Sequence, residues 1–179
     1  MKTPNLKPIL RYKQISMPAD ITFLVIDDEP EISELIIDQL KSIGFSGHFH
    51  SATNLQESQK ILKTTLIDFI LSDWHLPDGE GIDLLTAARK SNSYKVVPFV
   101  MITAEDRVDA ILKGKQEGIS EYIIKPCTVE ELQEKVFMGW SNQHTYSFEL
   151  VKTLTAKNFE LEQRVKELEH KIQKISSVI

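Results

Sequence analysis

Three acidic positions and one basic position stand where chemistry could be done. Asp27 and Asp28 follow the apolar run Thr22-Phe23-Leu24-Val25-Ile26, Asp73 follows a run through Phe69-Ile70-Leu71, and Lys125 follows Tyr122-Ile123-Ile124. If these runs are parallel strands of one sheet, their carboxyl ends share a rim, which is where open α/β sheets bind ligands. Carboxylates crowded there repel one another unless a divalent cation sits among them. A carboxylate beside that cation, faced by a lysine ammonium, is equipped to accept a phosphoryl group.

The elements needed to hold these residues can be read from the pattern. The run over residues 22–26 is continuously apolar, as a strand buried on both faces must be. Pro30 opens a helix in its first turn, where a missing N–H costs little, and Gly44 ends it. A short strand at 48–50, a helix through Leu55, Ile61 and Leu62, and a strand ending at Asp73 follow. Pro77, Gly79 and Gly81 break the chain before a helix through Leu84, Leu85 and Ala88. A fourth strand ends at Thr103, a helix through Val108, Ile111 and Leu112 closes at Gly118, and a fifth strand ends at Lys125. Thr128 and Glu131 have the spacing of a capping box for one more helix. Strand and helix alternate five times, which predicts a doubly wound parallel sheet over residues 21–142. Residues 1–20, with Pro4, Pro8 and Pro18, read as an extended, poorly packed arm.

Composition sets outer bounds. The chain has 179 residues and a formal net charge of −5, a balance that argues against non-specific nucleic-acid binding. Cys127 is the sole cysteine, so there is no disulfide framework. With no signal-peptide pattern and no apolar run long enough for a bilayer, the expected location is cytoplasmic and no membrane contact is expected. His48 and His50 share a strand face, but no third histidine or cysteine accompanies them as a metal site would require.

Taken in order, Val25-Ile26-Asp27-Asp28-Glu29-Pro30, Leu71-Ser72-Asp73 with Pro77-Asp78-Gly79, Thr103-Ala104, and Tyr122-Ile123-Ile124-Lys125-Pro126 resemble the receiver domain of two-component response regulators. The likeness covers residues 22–140. It implies a flavodoxin-like five-stranded sheet in the order 2-1-3-4-5. It also implies that Asp73 is the phosphoacceptor, taking its phosphoryl group from a sensor histidine kinase or a histidine phosphotransfer protein. By the same resemblance Asp28, Asp73 and the His75 backbone carbonyl are Mg²⁺ ligands, with Asp27 reaching the ion mostly through water. Few protein ligands and several retained waters suit that ion. Lys125 is expected to pair with the phosphoryl charge and to precede a cis proline. Thr103 is expected to bind a phosphoryl oxygen, and Tyr122 to move inward as Thr103 does. The resemblance assigns His75 and Glu105 to tuning dephosphorylation.

Beyond residue 147 the pattern changes. Val151, Leu154, Asn158, Leu161, Val165, Leu168, Ile172, Ile175 and Ile179 are spaced alternately by three and four, a heptad seam. β-Branched residues at a, mostly Leu at d, and Asn158 at an a position favour a parallel dimer. Lys157 opposite Glu162 and Arg164 opposite Glu169 agree with that pairing. Residues 147–179 are therefore expected to form a long coiled-coil helix that dimerises and relays the signal, roughly 43 Å long over 151–179. The other reading is a single amphipathic helix folded back on the sheet domain.

Together these features predict a phosphorylation-controlled, coiled-coil homodimer that is a signalling module rather than an enzyme. The alternative is a regulatory fragment of a larger enzyme, a diguanylate cyclase, phosphodiesterase or phosphatase, with its output domain outside this chain. DNA binding is not expected, since the rod lacks a basic region.

Overall fold

The computed structural model describes residues 9–104, 108–144 and, further on, 161, 164, 165 and 168. The chain divides into two compact units, Met1–Gln143 and His144–Ile179.

Two short strands open the first unit, β1 (Ile9–Tyr12) and β2 (Ile15–Pro18), paired antiparallel with Tyr12 opposite Ile15. This segment differs from the expected extended arm. Lys13, at φ 53°, makes the two-residue turn, and Met17 is fully buried. Leu10, Tyr12 and Ile15 pack on the same apolar cluster as Met17, with the Tyr12 ring 5.6 Å from that of Phe137. The alternation of inward and outward side chains in both strands supplies the reason: one face of the hairpin is apolar and finds the core.

The main sheet contains β3 (Phe23–Ile26), β4 (Phe49–Ala52), β5 (Phe69–Ser72), β8 (Phe99–Thr103) and β9 (Glu121–Ile124), ordered β4-β3-β5-β8-β9 and parallel throughout. In sheet numbering this is the expected order 2-1-3-4-5. A minor antiparallel pair, β6 (His75–Leu76) and β7 (Gly79–Glu80), lies in the loop after β5. The helices are α1 (Pro30–Ile43), α2 (Leu55–Thr64), α3 (Gly81–Lys90), α4 (Val108–Gln116) and α5, helical over residues 129–144. Strands β3, β5 and β8 are buried along their whole length, as continuous apolar runs covered on both faces must be.

One apolar cluster holds Leu24, Ile70, Trp74, Leu85 and Met101; the other holds Phe23, Val25, Leu71, Val100 and Phe137. Successive strand residues point to opposite faces, so each strand feeds both clusters. Arg89 closes the edge beside α3. Its Nε and Nη2 donate to the Gly118 carbonyl at 3.0 and 2.8 Å, and its Nη1 to the Val97 and Tyr94 carbonyls at 2.9 and 3.3 Å. Burial lowers the guanidinium pKa to about 10, so it keeps its charge at neutral pH. Among the described residues no helix is long and apolar enough to cross a membrane.

Candidate functional site

The strand register assembles the site. Ile26 pairs with Ser72 on one side and Ala52 on the other, so the next residues, Asp27 and Asp73, emerge side by side from the centre of the sheet. The pairing holds one step further, with the Asp73 N–H donating to the Ile26 carbonyl at 2.8 Å and the Asp27 N–H to the Ala52 carbonyl at 3.1 Å. Thr103 pairs with Ile124, and the Lys125 N–H donates to the Thr103 carbonyl at 2.8 Å. Lys125 therefore starts from the sheet edge, two strand spacings of roughly 4.8 Å from β5. A long side chain is needed to cross that distance.

It does cross. Lys125 Nζ lies 2.6 Å from both Asp27 Oδ2 and Asp73 Oδ2. Asp73 Oδ1 accepts from the Trp74 N–H and, at 3.4 Å, from the His75 N–H. Asp27 Oδ1 accepts from the Glu29 N–H at 3.2 Å. Asp27 is 1 % exposed, and its burial raises the carboxyl pKa, an effect that the Lys125 ammonium only partly offsets. For Lys125 burial acts against the charge, but the hydrogen bonds and charges of Asp27 and Asp73 outweigh it and the pKa is raised.

One carboxylate oxygen from each of Asp27, Asp28 and Asp73 can be chosen so that all three lie within 4.8 Å of one another, the only such metal-competent cluster among the described residues. Three carboxylates face one ammonium, and all the donors are hard oxygens. That set suits a small divalent cation such as Mg²⁺ better than a soft metal. Asp28 is exposed, so one side of the cluster opens to solvent.

The remaining expected residues are placed as follows. Thr103 is fully buried at the end of β8. Tyr122 is half-buried on β9 and packs against the cluster that contains Met101. The peptide between Lys125 and Pro126 is cis. His75 is exposed. His48 is exposed too, and neither His48 nor His50 belongs to a metal-competent group among the described residues. Glu105 lies outside the described residues, as do Val151, Leu154, Asn158, Ile172, Ile175 and Ile179. Leu161, Val165 and Leu168 are helical, and 55 %, 52 % and 46 % exposed.

Three residues that shape the site were given no role in it from sequence. Gly81 donates its N–H to the Trp74 carbonyl at 2.8 Å, and a Cβ there would stand 2.1 Å from the Asp73 carbonyl oxygen. Ser72 Oγ donates to that same carbonyl at 2.8 Å. Trp74 is buried, and Lys113 of α4 lies over its ring at 6.0 Å while pairing with Glu80 at 3.5 Å. A glycine at the first position of a helix was the only local signal for the first. The Ser72 bond reaches only the next residue and has no distinctive spacing, and the contact between Lys113 and Trp74 crosses the fold and leaves no sequence signal.

Comparison with known proteins places the chain among relatives of the same fold. Residues 23–137 match the response regulator receiver domain family. The chain is 34 % identical over 113 residues to the chemotaxis protein CheY of Pseudomonas aeruginosa, covering 63 % of this chain and 90 % of that one. It is 32 % identical over 117 residues to CheY-3 of Vibrio cholerae, covering 65 % and 89 % respectively. Among solved structures, the chemotaxis response regulator CheY4 of Vibrio cholerae superposes with a TM-score of 0.59 at 25 % identity, covering 64 % of this chain and 94 % of that one. The receiver domain of Francisella response regulator 1452 gives 0.60 at 27 % identity, with 68 % and 98 % covered.

Proposed function

Since this chain belongs to the response regulator receiver domain family, whose members are signalling modules, we propose that Asp73 accepts a phosphoryl group from a phosphohistidine on a kinase or phosphotransfer partner in the cytoplasm. A carboxylate oxygen of Asp73 forms the new O–P bond as the N–P bond of the donor breaks, and the imidazole keeps the electron pair. The observation that carries this reading is the Lys125 ammonium 2.6 Å from Asp73 Oδ2. It stands where negative charge on a transferred phosphoryl group would need a counter-charge.

Asp27, Asp28 and Asp73, with the His75 carbonyl, would hold Mg²⁺, which when bound neutralises phosphoryl oxygens and helps orient the donor. Thr103 offers a hydroxyl to the phosphorylated site. A shift of Thr103 and Tyr122 would then bias the packing of α4, β9 and α5, by no more than the interaction difference between the two states. His75 and Glu105 would set how fast water removes the phosphoryl group. Radiolabelled acetyl phosphate tests the reaction. Wild-type protein labels with Mg²⁺ and not with chelator, and Asp73→Asn does not label; an equally labelled Asp73→Asn protein would overturn the assignment.

We further propose that residues 147–179 pair with a second copy of this chain as a parallel coiled coil, which passes the switch onward. The exposure of Leu161, Val165 and Leu168 in a helical setting supports this reading, because an apolar seam exposed on one chain is buried by an identical partner. Sedimentation of the full chain carrying Leu161→Glu and Leu168→Glu tests it. A dimer that survives both changes removes the role.

A further inference from the structure

The loop from Asp73 to Gly81 carries both the acceptor and the His75 main-chain carbonyl, so its conformation decides where two groups of the proposed site stand. It is tied down in three places. At its base the Gly81 N–H donates to the Trp74 carbonyl. Along its sides His75 pairs with Glu80 and Leu76 with Gly79. At its tip Asp78 reaches a different element: Oδ1 accepts from the Leu55 N–H at 2.7 Å and Oδ2 from the Gln56 N–H at 3.0 Å.

Those two N–H groups are the first of α2, and helix-initial N–H groups have no partner within their own helix. Asn54 Oδ1 accepts the third, from Glu57, at 2.8 Å. The start of α2 is thus capped jointly by its own N-cap residue and by a carboxylate 22 and 23 positions away. The Leu55 N–H, followed by that of Gln56, favours the ionised form and holds the Asp78 carboxyl below the ordinary aspartate value. The two segments also interlock sterically: Gly79 has φ +152°, and a Cβ there would meet Leu55 Cδ1 at 2.6 Å.

We propose that Asp78 is a positioning residue for the cation site: by holding the tip of the acceptor loop on the first turn of α2, it fixes where Asp73 and the His75 carbonyl stand. The inference rests on the cation-assisted reading given above. Coupling of this kind is reciprocal, so a cation bound at the loop must also steady the start of α2.

Titration of the full chain with Mg²⁺, followed by amide NMR shifts and hydrogen exchange, tests it. Asp78→Ala weakens Mg²⁺ binding by about tenfold, the low end of what losing an outer partner costs a metal site. Asp78→Asn, with one acceptor oxygen for two N–H groups, weakens it less. Glu57→Gln loosens Thr53 at the same helix start, where Glu57 accepts from both the Thr53 N–H and its hydroxyl at 2.9 Å, yet leaves Mg²⁺ affinity at the wild-type level. In wild-type protein Mg²⁺ slows exchange of the Leu55 and Gln56 N–H groups. An Asp78→Ala protein that binds Mg²⁺ like wild type overturns the inference while leaving the functional reading intact. So does a Glu57→Gln protein that loses as much affinity, because the effect is then general to the helix start. A wild-type chain with no saturable Mg²⁺ response removes the functional reading and this inference together.

Discussion

Lys125 and Asp73, 52 positions apart in sequence, share a hydrogen bond of 2.6 Å, and the same ammonium stands equally close to Asp27. Lys125 is thereby the internal counter-charge of an otherwise acidic cluster. Replacing it with methionine leaves Asp27 buried without its partner. The expected loss of stability is about 2 kcal/mol in chelator, below the 3–5 kcal/mol of a fully buried pair because Lys125 retains some solvent contact. Saturating Mg²⁺ restores much of that loss. Urea denaturation with and without the ion checks both halves; a Lys125→Met protein as stable as wild type in chelator rejects the counter-charge role.

Gly81→Ala places a methyl group against the Asp73 carbonyl oxygen, with main chain rather than a flexible side chain in the way. Overpacking of this kind costs about 1–3 kcal/mol, and the displaced loop should also lower the rate of acetyl phosphate labelling. Thermal melts paired with labelling rates would show both; a variant with native labelling means that the acceptor loop tolerates the shift.

Met17 has no exposed surface, so Met17→Ala should destabilise the protein by about 2–5 kcal/mol, the usual range for truncating a buried methionine. Chemical denaturation measures it. No change in the unfolding midpoint would mean that the hairpin detaches at little cost.

Cys127 is half-buried, and that burial raises its thiol pKa, with the Glu131 charge adding to the effect. Raising an acid's pKa lowers its ionised fraction at any pH below it, and the thiolate is the reactive species. Alkylation by iodoacetamide at pH 8 should therefore be slower than for an unshifted cysteine peptide, with the rate still climbing at pH values where the peptide has levelled off. A rate matching the peptide across that range contradicts the shift.

Much of the sheet was legible because β3, β5 and β8 are short, uninterrupted apolar runs, each stopping at a polar residue of distinctive chemistry. Once the strands are known to be parallel, Asp27, Asp73 and Lys125 have only one rim on which to meet. The hairpin was not legible. Its strands have four residues each, and its Lys13-Gln14 turn lacks the Asn-Gly or Asp-Gly pair that marks such turns. Pro4, Pro8 and Pro18 pulled the reading toward an open chain. The role of Asp78 was hidden for a different reason. A cap donated from a distant loop has no fixed spacing to the helix that it completes, so no local pattern announces it. Leu35 of α1 is apolar yet 54 % exposed, because the stripe that meets the sheet is narrower than the helix's apolar pattern alone suggests.

The clamp made by Arg89 acts only on main-chain oxygens, those of Tyr94, Val97 and Gly118. Such contacts read the backbone rather than side chains, although Gly118, at φ +89°, and Tyr94, whose hydroxyl donates to the Leu62 and Thr65 carbonyls, are constrained by features of their own. Arg89 itself has no ready substitute in this clamp: a lysine offers a single nitrogen and cannot span three carbonyls with a planar fork.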